Sequence, residues 1–178
     1  MKFETIHSQK IYQGRAFSVR KDQVRLPNGA STNLDIVEHG GAVTILPIDE
    51  AGNIWFVRQY RHAAALEMLE LPAGTLEPGE PPETCAHREI REEIGMGAGK
   101  FQKIGSFYLA PGYSTEFMHV FLATELSPDP LPGDIDEFLQ VEQIPLARIP
   151  ALVQAGEIVD AKTLAVFELA VPFLKDDA

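Results

Sequence analysis

Alternating apolar and polar residues dominate the first part of the chain. Strands are predicted over residues 3–11 and 15–26. The second alternates through Phe17, Val19 and Val24, as expected where successive side chains of a strand point to opposite faces. The turn signal Pro27-Asn28-Gly29 follows, and Asn-Gly readily supplies the positive φ angles of a tight hairpin. A third strand is predicted over 33–38. We therefore expect residues 1–40 to form an antiparallel β subdomain.

Residues 41–178 are predicted to form a second domain of strands and helices. Apolar and β-branched runs predict strands at 42–48 and 54–60, joined by a hairpin signal at 49–53. Further strands are predicted over 66–71, 101–109, 117–124 and 138–144, helices over 81–94, 145–155 and 161–174, and a loop rich in Pro and Asp over 127–136. Many strands around one central helix, with helices at the end, indicate an α+β domain or an α-β-α sandwich.

The central helix is predicted from its end signals and from one apolar stripe. Pro81 and Pro82 suit a first turn, where a missing N–H costs nothing, and Gly95 is a natural stop. At 100° per residue, the stripe comprises Ala86, Ile90 and Ile94. Such a stripe predicts that the helix packs on a sheet.

Beside the stripe lies a face of three carboxylates, which are Glu89, Glu92 and Glu93. Like charges three or four residues apart destabilise a helix by about 0.2–0.5 kcal/mol per pair, and by more where they crowd beside a core. A hard divalent cation would convert this repulsion into coordination, since Mg²⁺ takes oxygen ligands. The alternative interpretation is a solvated helix face on which Arg88 and Glu92 form a surface pair. Charge count alone leaves both interpretations open.

Composition and charge exclude some classes of function. The 178 residues carry 15 basic and 26 acidic side chains, a net charge of −11, so binding to nucleic acid or to an anionic membrane is not expected. The single cysteine, Cys85, cannot form an internal disulfide, which favours a reducing compartment. The first residues lack the apolar run of a signal peptide, and no apolar stretch approaches the roughly 20 residues of a membrane span. We therefore expect a cytoplasmic protein.

The spacing of residues from Gly74 to Met96 decides between the two interpretations of the acidic face. The pattern Gly74-x5-Glu80-x7-Arg88-Glu89-Ile90-x-Glu92-Glu93-x-Gly95-Met96 resembles the complete Nudix box. All seven fixed identities and both apolar positions match, an agreement expected by chance at about one start in 10⁸. The resemblance implies a Nudix fold with a mixed central sheet. It also implies a hydrolase in which divalent metal ions activate water against a diphosphate.

The resemblance also implies the metal ligands, residue by residue. Glu89 and Glu93 correspond to the primary ligands, Glu92 to a further ligand, and the backbone carbonyl of Ala73 to an additional one. The implied cofactor is Mg²⁺, with Mn²⁺ as a substitute. Glu92 and Glu93 are thereby candidate catalytic residues as well.

Other polar residues of this region are expected to have structural roles. By resemblance, Arg88 orients the carboxylates, and Glu80 braces the preceding loop through Arg88. The spacing of His62, His87 and His119 matches no zinc pattern, so we expect these residues at the surface or in packing contacts.

Segments outside the box resemble the ADP-ribose pyrophosphatase branch of the family. They are 57–61, 69–74 and 110–116. This similarity implies hydrolysis of ADP-ribose, or of a related nucleoside diphosphate sugar, to AMP and a sugar phosphate. The alternatives are a pyrophosphatase of GDP-mannose or another nucleotide sugar, an isomerase of isoprenyl diphosphates on the same fold, and a silent Nudix domain used for ligand sensing.

The same resemblance implies substrate-binding residues. Arg61 would contact the diphosphate, a role that suits the guanidinium fork, and Arg58 in the same segment is a further candidate. Phe17 would stack on adenine across a domain-swapped homodimer, and Glu116 would lie near the terminal ribose. The structural alternatives are a salt bridge for Arg61, core packing for Phe17 and an exposed loop acid for Glu116.

The candidate catalytic base lies in a late acidic loop, residues 133–138. Some relatives carry two glutamates two residues apart in this loop; here Ile135 takes the first place and Glu137 the second. We therefore expect Glu137 to be the base. Asp134 and Asp136 remain candidates, and solvated loop acids are the alternative.

Overall fold

The computed structural model describes residues 2–133 and 138–174, which divide into two compact units. The first unit comprises the residues up to Gly41 together with Phe107–Phe117, and the second comprises Ala42–Ser106 and the residues from Met118 onwards. The segment Phe107–Phe117 therefore joins the N-terminal strands although it is distant from them in sequence.

Three antiparallel strands form the sheet of the first unit, and their order is that of the chain. They are β1 (Glu4–Gln13), β2 (Ser18–Arg25) and β3 (Ser31–Glu38). Gly29 has a φ of 87° in the turn between β2 and β3, the conformation that the Asn-Gly signal predicts. Every residue of β1 is exposed within this chain, whereas β2 contributes buried side chains.

Seven further strands form two sheets within the part of the chain that the structure describes. One sheet has the order β7-β4-β9-β8, made of β4 (Ala42–Pro47), β7 (Ala73–Thr75), β8 (Met96–Tyr108) and β9 (Phe117–Pro128). It is mixed, because β4 is parallel to β9 and antiparallel to β7. The other sheet is antiparallel in the order β10-β5-β6, made of β5 (Asn53–Arg61), β6 (Leu66–Glu70) and β10 (Leu139–Pro145).

Helices occupy three segments among the described residues of the second unit. They are α1 (Pro82–Glu93), α2 (Ile149–Gln154) and α3 (Ala161–Ala170), and a 3₁₀ turn (Leu146–Arg148) precedes α2. Asp160 caps α3, since its Oδ2 accepts a hydrogen bond from the backbone N of Thr163 at 3.0 Å. The structure confirms the predicted α+β class and the mixed sheet. In the described ranges, 2–133 and 138–174, no helix is both long and apolar enough to cross a membrane.

The core of the second unit forms where α1 packs on β4. All six residues of β4 are buried, as are Ala86, Ile90 and Ile94, the predicted apolar stripe of α1. Val43 and Ile45 of β4 lie in one hydrophobic cluster with that stripe. Burial of apolar surface at about 25 cal/mol per Å² therefore fixes the orientation of α1 about its own axis.

Several elements differ from the sequence prediction. β8 begins at Met96 rather than at 101. The sequence pattern did not predict this earlier start because Gly97 and Gly99 interrupt the apolar alternation. A Cβ at Gly99 would lie 2.7 Å from the Oε2 atom of Glu125, so the missing side chains admit a close neighbour on β9. The three-residue strand β7 was not predicted, and the first turn of the predicted helix 145–155 is a 3₁₀ turn.

The two leucines of β6 offer a matched test of the core. We predict that Leu69→Ala lowers the free energy of unfolding by about 2–5 kcal/mol, since Leu69 is 1% exposed and its loss leaves a cavity. Leu66→Ala removes the same atoms from a side chain that is 42% exposed, and should cost less than about 1 kcal/mol. Urea denaturation followed by circular dichroism measures both; equal losses would contradict the assignment of Leu69 to the core.

Candidate active site

The acidic face of α1 is held beside the core. Glu89 and Glu93 are each 8% exposed, and the side chain of Glu92 is 25% exposed. The first two are withdrawn from water because they share the helix with the buried stripe. A buried carboxylate is costly unless a positive charge or hydrogen-bond donors compensate it.

Arg88 provides the compensating charge. Its Nη1 donates to Glu89 Oε1 at 2.6 Å and to Glu92 Oε2 at 2.9 Å, while its Nε and Nη2 donate to the two carboxylate oxygens of Glu80, each at 3.1 Å. The hydrogen bonds to Glu80 are the largest contribution that raises the pKa of Arg88, and the guanidinium in turn lowers the pKa of Glu80. The pair Arg88–Glu92 is therefore present, but as one part of a network of three carboxylates.

Glu80 fixes the loop that precedes α1. Its Oε2 accepts a hydrogen bond from the backbone N of Glu77 at 3.0 Å, and its own N donates to the carbonyl of Glu77 at 2.9 Å. Gly79 completes this turn with a φ of 82°. The contacts agree with the predicted bracing of the loop by Glu80 through Arg88.

The strand β7 meets the acidic face through its backbone. The N–H of Ala73 donates to Glu93 Oε2 at 2.9 Å. At Gly74, a Cβ would lie 1.9 Å from both the Cδ and the Oε1 atoms of Glu89. The carboxylate of Glu89 therefore occupies the space that any other side chain at position 74 would fill.

The carboxylate oxygens of the acidic face are chemically suited to bind a hard divalent cation. Across the part of the chain that the structure describes, no three His, Cys, Asp or Glu side chains converge closely enough to hold a metal ion. Glu89 and Glu92 are directed at Arg88, and Glu93 at the N–H of Ala73. Carboxylate oxygens on one buried helix face are nevertheless the ligands that Mg²⁺ prefers. A cation there would compete with Arg88 for the same oxygens.

Arg61 is held by a buried carboxylate at the end of β6. Its Nε donates to Glu70 Oε1 at 2.8 Å and its Nη2 to Glu70 Oε2 at 2.7 Å, and Glu70 is 1% exposed. Lys162 of α3 contacts the same Oε2. The salt bridge considered as the alternative role of Arg61 is thus present. Its contact with a diphosphate stays a prediction. The 42% of its side chain that remains exposed leaves the guanidinium accessible to such a ligand.

Sequence reasoning missed Glu70 and Lys162 as members of this cluster. They are 92 residues apart, so no local spacing connects them. The available signal was Asp160-Ala161-Lys162-Thr163 at the start of a predicted helix, where Asp160 is a preferred cap. Arg58, by contrast, pairs with Glu142 of the neighbouring strand β10 at 2.5 Å, and its role in substrate binding stays a prediction.

The remaining predicted substrate residues lie in the first unit. Phe17 is 44% exposed, with its ring centroid 6.2 Å from that of Tyr12, which contradicts the alternative of core packing. It lines an open cavity of about 360 Å³ that also includes Lys10 and Arg15. Glu116 is partly exposed, and its carbonyl accepts a hydrogen bond from the N–H of Leu109 at 3.1 Å. The functional roles of Phe17 and Glu116 stay predictions.

Three candidates for the catalytic base fall outside the described residues. They are Asp134, Asp136 and Glu137. The structure therefore leaves the prediction about Glu137 untested.

Cys85 and the histidines have the environments of packing or surface residues. Cys85 is fully buried, and this burial raises the pKa of its thiol far above the usual value, which disfavours a nucleophilic thiolate. Burial lowers the pKa of His119. His62 and His87 are exposed, and the ring of His87 lies over that of Phe101 with 3.9 Å between centroids.

Similar proteins cover almost the whole chain. Residues 38–167 match the NUDIX domain, and residues 3–32 match the nucleoside diphosphate sugar hydrolase N-terminal domain. The chain is 41% identical over 162 residues to an ADP-ribose pyrophosphatase of Bacillus subtilis, covering 90% of this chain and 88% of that protein. It is 42% identical over 166 residues to one of Mycobacterium tuberculosis, covering 92% and 80%.

A solved structure shares the fold. It is described as the crystal structure of ADP compounds hydrolase, and it matches with a TM-score of 0.88 at 26% identity, covering 98% of this chain and 95% of that one. The fold expected from the motif between Gly74 and Met96 is confirmed by this match together with the domain match.

Substitution of Gly74 tests whether the acidic face binds a divalent cation. We predict that Gly74→Ala lowers the affinity for Mn²⁺, measured by electron paramagnetic resonance, by about tenfold or more. The added methyl group must displace the carboxylate of Glu89, which is the flexible end of a side chain, so the melting temperature should change little.

Gly112→Ala is the control for this substitution. A Cβ at Gly112 meets nothing within 4 Å and requires no unusual φ. Its Mn²⁺ affinity should equal that of the unmodified protein. Equal Mn²⁺ affinities for all three proteins would contradict a cation site that includes Glu89.

Proposed function

Because the chain belongs to the NUDIX family, we propose that it hydrolyses the diphosphate of ADP-ribose, or of a related nucleoside diphosphate sugar, to AMP and a sugar phosphate. The observation that carries this proposal is the complete box from Gly74 to Met96, in which Glu89, Glu92 and Glu93 lie together on one face of α1 beside β7. The two relatives at 41% and 42% identity, both ADP-ribose pyrophosphatases, support this choice of substrate.

The proposed cofactor is Mg²⁺, for which Mn²⁺ can substitute. Glu89, Glu92, Glu93 and the carbonyl of Ala73 would hold it. When bound, the metal supplies positive charge against the diphosphate and lowers the pKa of a water molecule. The repulsion between a protein of net charge −11 and an anionic substrate makes such positive charge more necessary. Arg88 keeps Glu89 and Glu92 of α1 and the loop acid Glu80 in one network.

The protein's own cations and its exposed aromatic ring would orient the substrate. Arg61 would donate to the diphosphate. The pKa of Arg61 is raised, chiefly by its hydrogen bonds to Glu70 and to a smaller extent by the charge of Glu93. Arg58 would assist on the same strand. Phe17 would stack on adenine with its exposed ring, and Glu116 would accept hydrogen bonds from the terminal ribose.

Proton transfer would be the task of Glu137. A carboxylate within reach of the attacking water typically contributes about 10²–10⁴-fold to the rate. Asp134 and Asp136 lie in the same acidic loop and are the alternatives.

We further propose a cytoplasmic homodimer with no nucleic-acid or membrane partner. The single cysteine and the excess of acidic residues support the location and the lack of polyanionic partners. Strand β1, exposed along its whole length within one chain, supports the N-terminal residues as the dimer interface.

Product analysis tests the function directly. We expect the protein with Mg²⁺ to release AMP from ADP-ribose, followed by chromatography, and to lose this activity in Glu93→Gln. Glu83→Gln, which changes an exposed acid in the first turn of the same helix, is the matched control and should retain full turnover.

The outcomes of this assay separate the alternatives. Preferential hydrolysis of GDP-mannose in the same panel would transfer the proposal to that substrate. If ADP-ribose, ADP-glucose and GDP-mannose all remain intact, the proposed function is refuted. Normal turnover by Glu93→Gln would refute the role of that residue.

Substitution of Glu137 tests the base. Glu137→Gln should lower kcat by about 10²-fold or more with little change in KM, because the amide cannot accept the proton of water. Asp136→Asn, one residue away in the same loop, is the comparison. If only Asp136→Asn lowers kcat, the base is Asp136.

A further inference from the structure

Lys162 is an unusual residue for the position it occupies. It lies in the first turn of α3, where the helix dipole disfavours a cation, and only 9% of it is exposed. Burial of an ammonium group is costly unless a specific anion compensates it. Its anions are Glu70, through Oε2, and Asp160, whose Oδ2 lies 3.0 Å from the Nζ atom. A residue that breaks two local rules requires a reason.

Charge compensation of Glu70 alone does not supply that reason. Arg61 already donates to both oxygens of Glu70 in the bidentate geometry that suits a carboxylate. Burial by itself would raise the pKa of Glu70, but Arg61 and Lys162 together outweigh burial and lower it. Two cations contact one carboxylate. Lys162 therefore neutralises part of the negative charge of Glu70, which Arg61 would otherwise neutralise alone.

The cluster is joined by backbone contacts to the acidic face of α1. Leu71, the residue after Glu70, donates its N–H to Thr163 Oγ1 at 3.0 Å. Two residues further on, Ala73 donates its N–H to Glu93. The four residues from Glu70 to Ala73 therefore connect the first turn of α3 to the proposed metal site.

We propose that Lys162 is a positioning residue for hydrolysis: by sharing Glu70, it leaves the charge of Arg61 available to the diphosphate and holds the guanidinium in one orientation. The Nε and Nη2 atoms of Arg61 are committed to Glu70, while 42% of the side chain faces solvent. Without Lys162, Glu70 would neutralise Arg61 and the diphosphate would meet a weaker cation. This inference rests on the proposed function and adds a residue to it.

A double-mutant cycle between Lys162 and Arg61 tests the proposal. Lys162→Met should raise the KM for ADP-ribose by about tenfold while kcat falls less, a loss expected when a residue that supports a ligand is removed. In an Arg61→Met background, the same substitution should change KM by less than about twofold, because Lys162 acts through Arg61. Lys162→Arg, which keeps the charge, should restore most of the affinity.

Binding of a non-hydrolysable substrate provides a second readout. The Kd of α,β-methylene ADP-ribose, measured by calorimetry, should rise in Lys162→Met by the same factor as KM. Lys100→Met, on an exposed lysine of β8, should leave both constants unchanged. Should Lys162→Met not fold, Lys162→Gln keeps a hydrogen-bond donor without the charge, and its Kd should also rise about tenfold.

The possible results separate this inference from the proposed function. A lower melting temperature in Lys162→Met with KM and Kd unchanged would assign Lys162 a purely structural role and overturn the inference. Additive effects of the Lys162 and Arg61 substitutions on KM would also overturn it. If the unmodified protein hydrolyses no nucleotide sugar, the proposed function itself fails and the inference falls with it.

Discussion

Packing of the apolar stripe of α1 on β4 is the constraint on which the candidate site depends. Once Ile90 is buried, Glu89 and Glu93 must also leave water, because they lie beside it on the same helix. Their desolvation costs more than the helix propensity of α1 can provide, so the surrounding structure must compensate them. The network around Arg88 and the N–H of Ala73 provides that compensation. The core and the acidic site are therefore two results of one packing interaction.

Local patterns were sufficient to predict the elements that carry this interaction. The stripe and the stop at Gly95 have helical spacing, and the turn at Gly29 has a sequence signature, so each can be recognised within about ten residues. Two features were not predicted, and they share a different cause. The strand β7 is only three residues long and exists because it pairs with β4, and Phe107–Phe117 joins the first unit through contacts distant in sequence.

The residues of the candidate site also differ in whether local spacing or contacts distant in sequence bring them together. The acids of α1 are predicted because the box places them on one helix, whereas Glu70 and Lys162 meet only after β6 and α3 have packed. Their pairing depends on tertiary structure, to which neither periodicity nor spacing is sensitive. The role of Arg61 is intermediate, because the sequence singled out the residue but only the structure shows its partner.

The contact between Gly74 and Glu89 has a consequence for how this sequence can diverge. While position 89 carries a glutamate, the carboxylate occupies the volume of a side chain at position 74, so only glycine fits there without displacing it. An aspartate at position 89 is one methylene shorter and would free part of that volume. The two positions are therefore expected to co-vary among descendants of this protein, because the size of the neighbouring side chain, rather than the backbone conformation at position 74, restricts that position to glycine.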